Sequence, residues 1–285
     1  MRIGTHVSVA RGYLHALDYA ESVGGECMQF FAKSPRQWKG PAVDPVAAAA
    51  FAHEREVRRF GPIYTHTAYL INLGTDEPEL RERSIAALAD ELVRAAVLGV
   101  QGVVTHVGND PLADGRLAAR RIGEGIVRAY EVAGDAGGQA RLLLENTAGA
   151  GRSFGSTFEQ LGAVISATGY GRERLGICLD TCHAFAFGMP VDSAQGWAEV
   201  LMTLDATCGL DRLGFIHAND CLFERGARRD RHAWIGDGFI GEEGFRAMVC
   251  RPELEDLDVC LEMPGEVPIK DARNIARLKA YRAQC

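Results

Sequence analysis

Eight short apolar runs recur along the chain, and each is followed by a stretch with helical spacing. The runs are "MRIGTHVSV", "ECMQFFA", "PIYTHTAY", "GVVTHVG", "RLLLENTA", "LGICLDTCHA", "LGFIHAND" and "LDVCLEMPG". Between them lie segments such as "PELRERSIAALADELVRAAVLG", whose apolar residues fall three and four apart, as a helix burying one face requires. That helix is expected to stop at Gly99, because glycine enters the left-handed conformation without steric cost. Eight strand–helix units, with no linker or shift in composition between them, predict an α/β chain folded as a single (β/α)8 TIM barrel. One catalytic domain over residues 1–285 is expected, with its site at the C-terminal ends of the strands. The competing fold is an open doubly wound sheet, but the first turn reads "HVSVARGY" and lacks the Gly-rich phosphate fingerprint.

Composition changes this picture little. With 285 residues, 47% hydrophobic and 24% charged, the chain can bury a large core without low-complexity tracts. The first residues lack the apolar core of a signal peptide and no run approaches a membrane span, so a cytoplasmic protein with no membrane partner is expected. Eight cysteines (27, 178, 182, 208, 221, 250, 260 and 285) contain no C-x-x-C pair. Reduced, mostly buried thiols are therefore expected, not a thiolate zinc site. A formal charge of −7 argues weakly against an anionic partner, since bound divalent cations would offset it and make one end of the barrel attractive to phosphate.

The strand ends carry the chemistry. Read in order they give His66, His106, Glu145, Asp180 with His183, and His217. Asp230 and His232 follow in a loop, and Glu262 ends the last strand. Any one of these has an ordinary explanation: a strand-end histidine is commonly a hydrogen-bonded structural residue, and Asp180 could cap the next helix. Nine together do not, because four carboxylates converging on one rim repel each other unless cations neutralise them. Imidazole with carboxylate suits Zn²⁺ or Mn²⁺, and nine ligands suffice for two or three ions. Cys178 should lie one layer deeper in the barrel, and Cys182 is read as a bystander. A cluster of divalent ions suits displacement at a phosphate.

These residues sit in motifs that resemble the endonuclease IV family of apurinic/apyrimidinic (AP) endonucleases of base excision repair. The likeness runs through "RQW", "YLINLG", "LLLENTAG", "GICLDTCHAFAFG", "FIHAND", "DRHAWIGDGFIG" and "LEMPG", essentially the whole chain. The resemblance implies a trinuclear zinc barrel, with Mn²⁺ or Fe²⁺ as alternatives at one or more sites. One ion would be held by His66, His106 and Glu145, and a second by Glu145, Asp180, His217 and Glu262. His183, Asp230 and His232 would hold the third. Catalysis would rest on Glu145 and Glu262, and a hydroxide bridging the first two ions would attack phosphorus while the third ion stabilises the leaving 3′-oxygen. The implied reaction cuts the phosphodiester 5′ to an abasic site, leaving a 3′-hydroxyl and a 5′-deoxyribose phosphate, and cleans blocked 3′ ends. The implied partner is double-stranded DNA containing abasic sites or blocked 3′ ends, met by a monomer at the nucleoid.

By the same resemblance, lesion recognition falls to the loops after strands two and three, here Arg36 and the pair Tyr69-Leu70. The loop "ERGARRDRH" adds Arg228, Arg229 and Arg231 as backbone contacts, beside Arg225. His6 is a candidate to orient a ligand, Trp38 reads as a loop anchor, and His15 and His53 have no expected role. The chain departs from the family pattern at Arg11, Val107, Leu222 and Ala233, which bear on loop shape and DNA affinity and not on metal binding. Two rival readings remain, a sugar isomerase or epimerase on the same scaffold and a zinc protein that binds damaged DNA without cutting it. The third ligand set and the two recognition loops count against the first, and the complete set of nine ligands against the second.

Overall fold

Each of the eight apolar runs contains a strand, and a computed structural model describing residues 1–285 closes them into one parallel ring. The first seven are β1 (Arg2–Val7), β2 (Met28–Phe31), β3 (Ile63–His66), β4 (Gly102–His106), β5 (Leu142–Glu145), β6 (Leu175–Asp180) and β7 (Leu213–His217). A two-stranded antiparallel hairpin, β8 (Asp220–Cys221) with β9 (His232–Ala233), stands outside the ring, and its strands are too short for the sequence pattern to announce them. The eighth ring strand is β10 (Asp258–Leu261), which pairs with β7 on one side and closes onto β1 on the other. The wall is covered by α1 (Tyr13–Ser22), α2 (Pro45–Arg58), α3 (Pro78–Leu98), α4 (Gly115–Gly137) and α5 (Phe158–Thr168). After β6 come α6 (Thr181–Phe187) and α7 (Ala194–Cys208), and α8 (Gly241–Val249) and α9 (Pro268–Arg282) flank the last strand. The "TCHA" part of the sixth run is helix, so His183 stands in the first turn of α6 and not on the strand.

Local signals set these boundaries. Gly99 ends α3 with φ of 59°, as its position predicts. Asp44, Asp114, Thr157 and Ser193 each cap a helix by accepting a hydrogen bond from a first-turn backbone N–H. The strands are almost entirely buried because helices cover one face and the barrel core the other. Inside the ring, Cys27, Tyr64, Val104, Leu143, Cys178, Phe215 and Cys260 pack as one layer, with Tyr64 stacked on Phe215 at 3.8 Å between centroids. Cys178 thus occupies the deeper layer expected for it. No helix is long and apolar enough to cross a membrane.

One expectation fails. Cys250 and Cys285 form a disulfide, so not all thiols are free. Cys250 lies just past α8 and Cys285 just past α9, and the two helix ends pack together, with the Arg246 guanidinium 4.2 Å from the Tyr281 ring centroid. Packing therefore brings the cysteines to a Cα separation of 5.3 Å, a proximity that spacing along the chain cannot reveal. The other six cysteines are free, five of them buried. Closing a loop of 35 residues' separation restricts the unfolded chain by about 4 kcal/mol in the loop-entropy account. Cys285→Ser should accordingly lower the unfolding free energy by up to about 4 kcal/mol in denaturant titration without reductant. Adding reductant should remove the difference between the two chains, whereas equal stability without reductant would show that the bond contributes nothing.

Candidate metal centre

Strand register assembles the centre before any side chain is considered. In parallel pairing His106 lies beside Glu145, and Asp180 beside His217. The C-terminal ends of β3, β4, β5, β6 and β7 therefore deliver their polar residues to one rim, and Glu262 joins them one residue past β10. Asp180 does two jobs there: its Oδ1 accepts the His183 backbone N–H at 2.7 Å, capping α6, and so fixes where His183 projects. The hairpin pairs Cys221 with His232, which brings the loop ligands Asp230 and His232 over the same rim.

All nine sequence-predicted ligands are brought together. The donor atoms of His66, His106 and Glu145 lie within 4.8 Å of one another, and so do those of Glu145, Asp180, His217 and Glu262, and those of His183, Asp230 and His232. These are the same three sets that the family resemblance implies. A fourth grouping, Asp180, Cys182 and His232, is equally close. The Cys182 thiol, pushed up in the metal-free protein by its hydrogen bond with Cys221 and by burial, points its Sγ at the Arg231 carbonyl at 3.7 Å. The rim opens into a cavity of about 730 Å³ that exposes His66, His106, Glu145, His183, Asp230, His232 and Glu262.

The histidines are oriented from behind. His66 Nδ1 donates to the Thr67 carbonyl at 2.8 Å, His183 Nδ1 to the Asn146 carbonyl at 3.0 Å and His232 Nδ1 to the Glu262 carbonyl at 2.7 Å. Each bond leaves Nε2 as a lone-pair donor directed inward. His66 Nε2 is 3.0 Å from Glu145 Oε2, His183 Nε2 is 3.2 Å from Asp230 Oδ2, and His106 Nε2 is 3.4 Å from Glu145 Oε2. His217 is reversed and presents Nδ1, 3.0 Å from both Glu145 Oε1 and Glu262 Oε2.

Whether a cation fits can be judged on this geometry. His232 Nε2 is buried with no hydrogen-bond partner, yet sits 3.3 Å from Asp230 Oδ1 and 3.8 Å from Asp180 Oδ2. Lone pairs of imidazole and carboxylate facing each other across such gaps are stable only with a proton or a cation between them. The donor set of nitrogens and carboxylate oxygens suits a divalent transition metal.

Charge in the metal-free centre follows the same logic. Burial would push Glu145 up, but His106 and His217 beside it, with hydrogen bonds from His183 and His217, hold it well below the usual carboxylate range. Burial likewise opposes ionisation of Glu262, and His217 and His6 overcome it. At Asp180 burial prevails and the group is raised. Burial lowers His66 and His232, yet the hydrogen bond of His66 to Glu145, and the carboxylates of Asp230 and Asp180 facing His232, outweigh it and bring each up to about 9. With no such direct bond, His106 falls to about 4 through burial.

Several residues that support the ligands went unnoticed in the sequence. Asn219 Nδ2 donates to Asp180 Oδ2 at 2.6 Å while its Oδ1 accepts the Glu262 backbone N–H at 2.8 Å. Asp220 is fully buried and accepts backbone N–H groups from Cys221, Gly236, Gly238 and Ile240, which ties the hairpin to the glycine loop behind it. A Cβ at Gly238 would lie 2.5 Å from Asp220 Oδ1, so only glycine permits this closure. Gln29 bridges His217 and Glu262. His6 Nδ1 lies 3.6 Å from Glu262 Oε1, beside the cluster and not in it. His15 and His53 lie on α1 and α2, away from the rim.

The residues proposed for DNA contact are distributed around the cavity. Tyr69 is 62% exposed and lines it, packed edge-on against Phe31, so it does not lie under its loop, whereas Leu70 is half-buried. Arg36 is exposed on the neighbouring loop, which is joined to Tyr69 by a 3.2 Å bond from the Tyr69 N–H to the Pro35 carbonyl. Lys33 anchors that loop from below: its buried ammonium meets Asp90 at 2.6 Å and Glu91 at 3.3 Å on α3. Trp38 stacks under the Arg83 guanidinium at 4.5 Å, as a loop anchor would. Arg231 is on the cavity wall. Arg228 and Arg229 are exposed beyond it, their guanidinia over Phe187 at 5.5 Å and Phe223 at 3.7 Å. Of the departures from the family pattern, Val107 and Ala233 are buried while Arg11 and Leu222 are exposed.

This fold and site define a class. A family model described as "Xylose isomerase-like TIM barrel" matches residues 17–282. A protein of Chloroflexus aurantiacus named "Probable endonuclease 4" is 41% identical over 280 residues, covering 98% of this chain and 97% of that one. The crystal structure of endonuclease IV from Thermus thermophilus superposes with a TM-score of 0.89 at 38% identity, over 100% of both chains. The chain belongs to the xylose isomerase-like TIM barrels and, within them, to the endonuclease IV family of nucleases. A D-tagatose 3-epimerase-like protein, at 20% identity and a TM-score of 0.72, shares the fold alone.

Because His66 and His232 rise to about 9 in the metal-free protein, a cation must displace protons from them below that pH. Apparent metal affinity should therefore increase with pH up to about 9 and weaken as pH falls, with at least about two protons released per chain near neutrality, since His183 and His217 are raised as well. Calorimetry in two buffers of different ionisation enthalpy measures that release. No release at neutral pH would contradict the assigned charge state.

Proposed function

We propose that this chain is a DNA-repair AP endonuclease that hydrolyses the phosphodiester 5′ to an abasic site, leaving a 3′-hydroxyl and a 5′-deoxyribose phosphate. The same centre removes blocking groups from 3′ ends. The observation that carries the proposal is the convergence of nine His, Asp and Glu side chains in three sets on one rim, in a chain 41% identical to an endonuclease 4 over almost its whole length.

In this reading three divalent ions, zinc first, are held by the sets His66–His106–Glu145, Glu145–Asp180–His217–Glu262 and His183–Asp230–His232. When bound, such ions supply an activated water and offset the charge that develops on the attacking and leaving oxygens. Glu145 is buried and Glu262 largely so, each in a hydrogen-bonded frame, so they hold the reacting region without reorganising during the reaction. Asp230 and His232, on the loop side, face the position of the departing 3′-oxygen. Tyr69, exposed beside the rim, enters the opened base step with Leu70 and lets the abasic sugar turn toward the centre. Arg36 and Arg231 hold phosphates near the lesion, and Arg228 and Arg229 track the backbone farther out.

The test is an end-labelled duplex carrying one tetrahydrofuran abasic analogue, which cannot undergo β-elimination. Metal-dependent incision 5′ of the analogue, with a 3′-hydroxyl product, is expected. No cutting by metal-loaded protein would overturn the reading: tight binding of the same duplex would then mark a non-cleaving binder, and no binding a small-molecule barrel enzyme. Glu262→Gln should lower single-turnover cleavage by at least about 10³-fold while duplex affinity stays near that of the parent. A variant cutting at the parent rate would remove Glu262 from the catalytic assignment.

A further inference from the structure

His217 differs from every other histidine of the cluster in two respects. It alone turns to the carboxylates an Nδ1 that no backbone carbonyl holds, since His183 Nδ1, 3.3 Å from Glu145 Oε1, is also bound to the Asn146 carbonyl. It alone has its other nitrogen held by an amide side chain. That side chain is Gln29, fully buried on β2. Its Oε1 is 3.0 Å from His217 Nε2, and its Nε2 is 2.6 Å from Glu262 Oε1 and 3.0 Å from His6 Nδ1.

An amide has one accepting and one donating end, and the surroundings decide which faces where. The 2.6 Å contact runs from the Gln29 amide nitrogen to Glu262 Oε1, and a carboxylate that holds a cation can only accept, so the nitrogen end faces it. The amide oxygen is then committed to His217 Nε2, which must carry a proton, so that Nδ1, the nitrogen facing Glu145 and Glu262, is the one left to a cation. The reversed amide would set oxygen against oxygen at Glu262 and would demand a proton on His217 Nδ1, which removes the donor. We propose that Gln29 is a positioning residue: it locks His217 as an Nδ1 metal donor and holds Glu262 in the same hydrogen-bonded frame, presetting the pair for the cation they share with Glu145 and Asp180. Backbone carbonyls do the equivalent work for His66, His183 and His232, and no substitution can remove them. This one lock is removable.

The inference deepens the proposed function and rests on its ligand sets, but its test does not need cleavage. In protein loaded with ¹¹³Cd²⁺, ¹⁵N–¹¹³Cd coupling reports which ring nitrogen binds each ion. The parent should show coupling at Nδ1 of His217 and at Nε2 of His66, His183 and His232. Gln29→Met, similar in size, should lose or reverse the His217 coupling and leave the others. One ion should then be retained about 10- to 100-fold more weakly in chelator competition. In Gln29→Glu the new carboxyl, buried against Glu262, shares a proton with it, so it keeps both a donor for Glu262 and an acceptor for His217 and the Nδ1 coupling should persist; this variant decides the matter if Gln29→Met does not fold. Parent-like coupling and retention in Gln29→Met, or loss of the His217 coupling in Gln29→Glu, would overturn the proposal. On abasic duplex, Gln29→Met should lower kcat with KM unchanged. A parent protein that cuts no abasic duplex would sink the functional reading, while the cadmium couplings would still decide the role of Gln29.

Discussion

Three carboxylates, Glu145, Asp180 and Glu262, stand at the rim of this barrel, the first two with almost no access to water and the third largely buried. Removing such charges from solvent costs several kcal/mol each unless positive charge meets them. The chain supplies no lysine or arginine inside the cluster. It supplies five histidines, whose raised or lowered proton affinities record the demand for positive charge. Protons answer that demand in the metal-free protein and divalent cations answer it better, since each can accept several of these donors at once. The remaining architecture serves this constraint.

A parallel barrel is suited to the task because register and period fix where side chains emerge. Neighbouring strands place His106 beside Glu145 and Asp180 beside His217. Backbone carbonyls at the strand ends then orient the rings, and Asn219 and Asp220 join the last strands and the hairpin into one frame. The loops around the rim can therefore vary without disturbing the centre. Tyr69 and Arg36 belong to loops that touch one another, and the loop of Arg36 is moored by a buried lysine between two carboxylates.

The eight strands and the rim residues that end them were legible in the sequence because both follow from periodicity, an apolar run setting the strand and the polar residue after it facing the rim. Asp230 and His232, by contrast, stand in a loop and were legible only from the DRH motif. His183 was legible as a ligand but not as a helical residue, since the motif runs unbroken from strand into helix. Gln29 was hidden because a lone amide in "CMQFF" looks like an ordinary strand polar residue. Its meaning comes from partners 188 and 233 residues away. Asp220 was hidden for a related reason: it contacts backbone N–H groups, which carry no sequence signature. The Cys250–Cys285 bond depends on how two helix ends pack, and spacing contains nothing of that.

Nine side chains forming one centre for three cations is the central claim, and metal content tests it most directly. Protein purified without chelator would be analysed for bound metal per chain, beside His183→Ala and His66→Ala. The expected result is about three divalent ions in the parent and the loss of about one in each variant, the two losses being independent because the sets share no residue. A parent that binds a single ion, or variants that retain the full complement, would contradict it.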